Sequence, residues 1–318
     1  MKISSLDLRI ISAVELAGRR TPKQIAKLIR SKEHQVRYRL HKLREAGVLS
    51  KAEAVIDLSK LGITHHTVIF TLSLQKATDW IRIVNHLKKR TSVSWLYHMG
   101  GEFQFGVSIS ARTIHEVADE LDLLSDLFGA VLLRKRIASQ RGFVYFGRRY
   151  LGRFSGEIRF NAPTKAEEIS AEDHLLLKGI CEFGADDWSE CCRRLHISRA
   201  SFDRRRIDLE ERGILKGTVC RVDVERLGRH SYLILITTRG TSRALTEQMY
   251  HFAERERDAV YLMQAIGAWD FEIGIEVVSP KDIADLSRRL FDEFGTGIAE
   301  VSILPVLEYY KFRALPQF

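Results

Sequence analysis

The chain contains one unit twice, and this repeat constrains its fold more than any other feature. The stretch LHKLREAGVLSKAEAVIDLSKLG, ending at Gly62, is answered 166 residues later by RIDLEERGILKGTVCRVDVERLG, ending at Gly228. EFQFGVSI from Glu102 is answered by DFEIGIEV from Asp270, and DLFGAV around Gly129 by DEFGTG around Gly295. GFVYFGRRY from Gly142 is echoed by LEYYKFRAL from Leu307. Self-similarity at one period means two copies of one folded unit, and 318 residues leave each copy room for two small domains. Between the copies, LGRFSGEIRFNAPTKAEEIS is polar and carries Gly, Pro and Ser, which reads as a linker.

Both copies give the same order of elements. In copy one, patterning predicts helices over 5–17, 22–29 and 32–46, then a strand running to Gly62. Thr21-Pro22 is a good helix start, and Gly47 a good helix stop. A strand over 66–74, a helix over 78–89, strands near 93–97 and 102–110, a helix over 114–128 and a strand over 131–138 follow. That tail is β-α-β-β-α-β, the ferredoxin-like arrangement. SYLILITTRG, SRALTEQMYHFAERE, VYLMQAI, DFEIGIEVV, SPKDIADLSRRLFDEFG and IAEVSILPV repeat it. The expected fold class is α+β: two copies of a winged helix-turn-helix followed by a ferredoxin-like βαββαβ domain. The expected boundaries are 1–62 and 63–147 for copy one, 148–169 for the linker, and 170–228 and 229–318 for copy two.

The third helix of copy one carries the chemistry. Val36, Leu40 and Leu43 stand at helical spacing, to be buried against Leu6, Ile10, Ile11 and Val14 of the first helix and Ile25 and Leu28 of the second. The other face then presents Lys32, His34, Gln35, Arg37, Tyr38, Arg39 and Lys42. Arg and Lys neutralise phosphates, Arg also reads guanine edges, and Gln reads adenine. A short helix, a tight turn and a basic helix make a helix-turn-helix pattern, and the stop at Gly47 suits one major groove. Net charge is +9, spread unevenly. Residues 1–160 hold 28 Lys+Arg against 14 Asp+Glu, the remainder 22 against 27. The first half therefore faces a polyanion, and double-stranded DNA is the expected partner.

These residues resemble the heads of the Lrp/AsnC (feast/famine) transcription regulators. Copy one shows LDLRIISAVEL, then Ser31, Val36, Arg39, Leu43, Gly47 and Leu49; copy two shows AEDHLLLKGI, then Ser198, Phe202, Arg205, Leu209, Gly213 and Leu215. IGAWDFEIGIEV is similar to the family's glycine, acid and aromatic signature, and MGGEFQFGVSI is so more loosely. The resemblance covers nearly the whole chain, twice. It implies a regulator with a small effector, such as an amino acid, held between paired βαββαβ units. The effector candidates are Gly100, Gly101, Glu102 and Phe103, with Gly267, Ala268, Trp269 and Asp270. Glycine admits a ligand to backbone N–H groups and a carboxylate takes an ammonium, although Gly-x-x-Asp in a hairpin also reads as a plain turn.

The chain departs from the family's pattern in places. Ordinary members carry one copy and pair with a second chain, whereas two copies here could pair in cis as a pseudo-dimer. The turn before the basic helix is a residue longer in copy one. Arg206 stands where copy one has Leu40, Asp203 lies on the second basic helix, and residues 170–230 hold 12 Lys+Arg against 12 Asp+Glu. The second head is therefore the weaker DNA surface, with Arg199, Ser201, Arg204 and Arg205 as its contacts.

The aromatic run GFVYFGRRYLGRF reads as a half-buried strand whose Arg148, Arg149 and Arg153 offer further phosphate contacts. Cys181, Cys191, Cys192 and Cys220 lack zinc-ligand spacing and read as reduced thiols; His65, His66, His98 and His115 also lack metal-ligand spacing. There is no phosphate loop, nucleophile elbow or zinc-protease motif. No catalytic residue, metal or cofactor is therefore expected. No apolar run is long enough to span a bilayer and MKISSLDLRI has no signal-peptide core, so the expectation is a cytoplasmic protein without a membrane partner. Unpaired sheet edges lead us to expect a homo-oligomer. An alternative exists: fused pairs of similar modules also occur as sirohaem decarboxylases, in which basic residues would hold the tetrapyrrole's carboxylates and His98 with Tyr97 would assist decarboxylation. Fold alone does not decide between them.

Overall fold

A computed structural model describes residues 2–73, 77–129, 132–152, 154, 156–161, 165–185 and 188–312. Copy one runs α1 (Ser5–Val14), α2 (Pro22–Leu28), α3 (Glu33–Glu45), β1 (Leu49–Ile56), β2 (Thr64–Leu72), α4 (Ala77–Lys89), β3 (Val93–Met99), β4 (Phe105–Ala111), α5 (Ile114–Phe128) and β5 (Leu132–Tyr145). A short strand β6 (Ile158–Asn161) comes next. Copy two runs α6 (Ala171–Phe183), α7 (Trp188–Leu195), α8 (Arg199–Glu211), β7 (Leu215–Val222), β8 (His230–Thr238), α9 (Arg243–Arg255), β9 (Ala259–Gly267), β10 (Phe271–Val277), α10 (Pro280–Phe294) and β11 (Ile298–Phe312). The fold is α+β, a winged helix-turn-helix and a ferredoxin-like unit in each copy.

Local chemistry explains the helix ends. Ser4 and Asp7 form a capping box on α1, and Thr21 and Gln24 form one on α2 with Pro22 in its first turn. Gly47 and Gly213 adopt φ of +68° and +66° where α3 and α8 give way to strands. Lys32, not Ser31, is the N-cap of α3 and makes no side-chain cap bond, whereas Ser198 caps α8 by accepting from the Ser201 N–H. Leu28 is exposed, and Ile29 takes the buried place expected of it.

The two heads are one body. β1 and β7 pair antiparallel, and Glu53 lies opposite Val219. These residues are one repeat period apart, so a pseudo-two-fold axis passes through the pair. Packed against this ribbon, Ile10, Ile11, Val36 and Leu43 share a continuous core with Leu177, Phe202 and Leu209.

The remaining strands close a ring. Copy one has the order β5-β2-β4-β3 and copy two β11-β8-β10-β9, and every pairing is antiparallel. The last strand of each copy pairs twice. Ile137 of β5 lies opposite Val68 of β2, while Phe143 further along lies opposite Met263 of β9. Ile303 of β11 lies opposite Ile234 of β8, and Tyr309 opposite Tyr97 of β3. Sheet edges expected to meet another chain thus meet the other copy. β5 runs seven residues beyond the expected 138 to Tyr145, taking in only part of the aromatic run, and β6 pairs with it inside the expected linker.

Alternation sorts the side chains. Phe271, Ile273, Ile275 and Val277 of β10 pack with Leu286 and Leu290 of α10, so Glu272, Gly274 and Glu276 face inward. Inside the ring, Gly106 and Gly274 lie beneath the rings of Tyr97 and Tyr261. A Cβ on either would sit 2.2 or 2.1 Å from ring carbons. Gly274→Ala should therefore cost about 1–3 kcal/mol in urea denaturation. Gly297→Ala, with nothing within 4 Å of the added carbon, should stay within about 0.5 kcal/mol.

Candidate nucleic-acid interface and luminal cavity

α3 stands with its core stripe buried and Lys32, His34, Gln35, Arg37 and Tyr38 exposed. Arg37 meets Glu33 at 2.5 Å, an exposed pair of little energetic weight. Lys42 is half-buried and meets Glu45 at 2.8 Å. Arg39 has a different task from the one expected. Its Nε donates to Asp7 Oδ1 at 2.7 Å and its Nη2 to Oδ2, and Asp7 is fully buried. Burial pushes the Asp7 carboxyl up, but hydrogen bonds from Arg39 and Ser4 outweigh it and hold the group below the usual range. One period later, Arg205 Nη1 donates to Asp173 Oδ1 at 2.8 Å. Both arginines fasten the third helix of a head to the first, which takes them off the DNA-facing surface.

On α8, Arg199 meets Asp203 at 2.6 Å, Ser201 is half-buried and Arg204 is exposed. Arg206 fills the place of Leu40 by stacking 4.5 Å from the Trp188 ring and pairing with Glu210 at 2.6 Å. Arg19, from the first head, stacks on the same indole at 3.2 Å. Cation–π contact thus replaces an aliphatic contact, and the face is nearly charge-balanced. Arg148 and Arg149 are spent elsewhere: Arg148 is buried, and Arg149 donates to the carbonyls of Ala253, Glu254 and Glu256. Arg153 lies outside the described residues.

The two glycine turns do not converge on one site. Gly100 donates to the Pro305 carbonyl at 2.9 Å, Gly101 (φ +93°) packs on Leu304, and Glu102 accepts from the Ser302 hydroxyl at 3.2 Å. Ala268 donates to the Ile137 carbonyl at 2.9 Å. Gly267 (φ +140°) passes so close that a Cβ would lie 2.4 Å from that oxygen. Asp270 is consumed by the Thr238 N–H and hydroxyl at 2.7 and 2.8 Å. Each turn is thus fastened to the last strand of the other copy, and Phe103 and Trp269 are buried in the luminal core. As placed, these residues close seams between the copies.

The cavity lies elsewhere. About 1280 Å³ opens beneath the β1–β7 ribbon and continues into the ring, and all eight ring strands contribute lining residues. This exceeds the roughly 300–1,000 Å³ of common ligand pockets. None of the eight effector candidates lines it. At its mouth Arg148 holds Glu15, the C-cap residue of the first head's α1, at 2.7 Å and Glu276 at 2.8 Å. The Tyr145 hydroxyl donates to Glu15 at 2.9 Å, and that of Tyr150 to Glu276 at 2.5 Å. Deeper in, the Tyr261 hydroxyl donates to Glu272 Oε1 at 2.7 Å, while burial pushes the Glu272 carboxyl up to about 7. His65, whose Nδ1 lies 2.9 Å from the Ser110 hydroxyl, is driven down to about 4 by burial and by neighbouring His66. The lining includes Tyr97 but not His98, whose ring packs edge-on to Trp80 of α4 at 4.7 Å. The two side chains therefore sit on opposite faces of β3, so the couple imagined for decarboxylation does not form. Sequence reasoning missed Glu272 and Glu276. Their signal was present in FEIGIEV, where acids occupy alternate positions among residues of a buried strand.

Among the described residues, no group of three His, Cys, Asp or Glu stands together as a metal site, and no helix is long and apolar enough to cross a membrane. Cys191, Cys192 and Cys220 are buried, and Cys181 is exposed.

No family model matches the chain. Among curated proteins, HTH-type transcriptional regulator FL11 of Pyrococcus horikoshii is 28% identical over 127 residues, covering 40% of this chain and 83% of that protein. Regulatory protein AsnC of Haemophilus influenzae is 23% identical over 129 residues, 39% of this chain and 85% of its own. Each match spans less than one full copy of the repeat. Among solved structures, siroheme decarboxylase NirDL in complex with an iron-uroporphyrin III analogue covers 98% of this chain and 94% of its own at 12% identity, with a TM-score of 0.61. That likeness establishes a shared duplicated fold. The resemblance to Lrp/AsnC regulators, as a tandem duplication, stands.

The pH dependence of stability follows from Glu272. An unfolded glutamate titrates near 4.3. The folded chain therefore binds an extra proton between that value and about 7, and stability from this group falls as pH rises through the window, by about 4 kcal/mol in all. His65, depressed, acts in the opposite sense below its unfolded value. The clean measurement is a difference: Glu272→Gln should gain urea resistance relative to the native chain between pH 5 and pH 8.

Proposed function

We propose that this chain, similar to Lrp/AsnC regulators in a two-copy form, is a sequence-specific DNA-binding transcription regulator acting as an internal pseudo-dimer. The carrying observation is α3. Its N-terminal half is exposed and bears Lys32, His34, Gln35, Arg37 and Tyr38 on a frame pinned by the Asp7–Arg39 pair. Gln35 and Arg37 would read base edges, Lys32 and Lys42 would take phosphates, and Tyr38 would pack on the backbone. From the second head, Arg204 supplies phosphate contact, with Arg199 and Ser201 at its edge. Unequal heads fit an asymmetric operator. A small ligand would modulate binding by its different affinity for two head arrangements. The Arg148 network is the physical route, since it joins the cavity mouth to the end of α1. Work in the cytoplasm and self-association through the ribbon edges or β6 belong to this reading.

A second reading, a tetrapyrrole decarboxylase, is favoured by the cavity's size and the whole-chain likeness to the siroheme enzyme. Against it stand the inward-facing Glu272, which has no counter-cation among the described residues to offset its repulsion of a polycarboxylate, and the separation of Tyr97 from His98.

Genomic fragments selected by the purified protein at two salt concentrations should yield an asymmetric motif. Gln35→Ala/Arg37→Ala should lose that motif, at about 1–3 kcal/mol per base-reading pair, with its melting temperature unchanged. Arg39→Ala should instead cost about 3 kcal/mol of stability by stranding buried Asp7. No motif at either salt, together with an absorbance change on adding an iron tetrapyrrole, would move the assignment to the second reading.

A further inference from the structure

The lumen holds a carboxylate without a counter-cation. Glu272 is 5% exposed, lines the cavity and accepts from Tyr261 through Oε1, while Oε2 has no hydrogen-bond partner. The Trp269 indole N–H lies near it but makes no bond of good geometry and is also without a partner. Among the described residues, no Lys, Arg or His pairs with Glu272. Arg148, at the cavity mouth, is already committed to Glu15 and Glu276. Burying an unpaired carboxylate is costly, so its presence among aromatic rings needs an account.

Those rings supply one. Tyr261 stacks on Phe143 with centroids 5.1 Å apart and meets Trp95 edge-on at 6.3 Å, and Tyr97 lies 6.0 Å from Tyr309. All five line the same cavity as Glu272. Aromatic faces attract a cation, and a charge-assisted bond to carboxylate fixes its N–H. We propose that the lumen is a binding site for an organic ammonium ion, with the amine on Glu272 and an apolar or aromatic body among Trp95, Tyr97, Phe143, Tyr261 and Tyr309. Oε2 gains its missing donor, and the ligand's charge offsets that of the acid. The site does not depend on whether the heads bind DNA. It also lies away from the glycine turns suggested by family resemblance.

The test is calorimetric titration of the full chain at pH 8 with hexylamine, 2-phenylethylamine and cadaverine. Hexan-1-ol, 2-phenylethanol and 3-phenylpropionate serve as uncharged and anionic counterparts. At least one amine should bind at least about tenfold tighter than its alcohol. Glu272→Gln should erase the preference while keeping the fold. In the native chain the preference should shrink from pH 8 to pH 5.5 as Glu272 takes up a proton in the company of Tyr97, Tyr261, Tyr309 and Trp269. The proposal is overturned if no amine gives heat, if alcohol or carboxylate binds as well, or if Glu272→Gln retains the preference. An iron tetrapyrrole that binds where amines do not would overturn it as well, in favour of an anionic ligand.

Discussion

The double pairing of β5 and β11 is the constraint on which the rest depends. Each strand is long enough to complete its own four-stranded sheet and then continue into the other copy's. Sheet edges that would expose unpaired backbone groups are thereby satisfied in cis. The lumen exists because the ring closes, and the β1–β7 ribbon is held over its mouth because both heads grow from that ring. Arg148 lies just beyond the end of β5, where the strand leaves the ring towards the first head. The strand's length therefore also places the cation that binds Glu15 to Glu276.

Much of this was legible locally. The 166-residue period, the three-helix heads, the glycine stops and the βαββαβ order all leave short-range traces: caps, turn residues and hydrophobic periodicity. The exposed face of α3 followed from the same periodicity. What failed was long-range. Arg39 and Lys42 look alike on a helix surface, and only the packing of α1 against α3 assigns Arg39 to Asp7. The glycine turns looked like ligand cradles because the family resemblance points to them and glycine bares backbone N–H groups, but Gly101 and Gly267 also have positive φ. Here those conformations serve close approach between copies. Glu272 was passed over because the acids spaced through FEIGIEV are a weak signal until the ring shows that both faces of β10 are covered.

The two copies differ in what they expose. Copy one keeps Leu40 in its core and leaves the neighbouring helix face exposed, whereas copy two replaces that leucine with Arg206 and pairs it with Asp203 and Glu210. Inside the ring the difference is reversed. Copy two contributes Glu272 and Glu276, and copy one offers Ser108 and Ser110 from the inward face of β4. One copy thus bears the more cationic third-helix face, and the other supplies Glu272 and Glu276 to the ring interior.

The pseudo-two-fold ribbon has a consequence beyond geometry. Two separate chains pairing through such a ribbon would part on dilution, and any substitution would appear twice. Here the partners share one backbone, so each meets the other at a fixed effective concentration whatever the amount of protein. A change at Glu53 leaves Val219 untouched. Each half of a recognition sequence, and each wall of the lumen, can therefore drift alone, which an assembly of identical subunits cannot do.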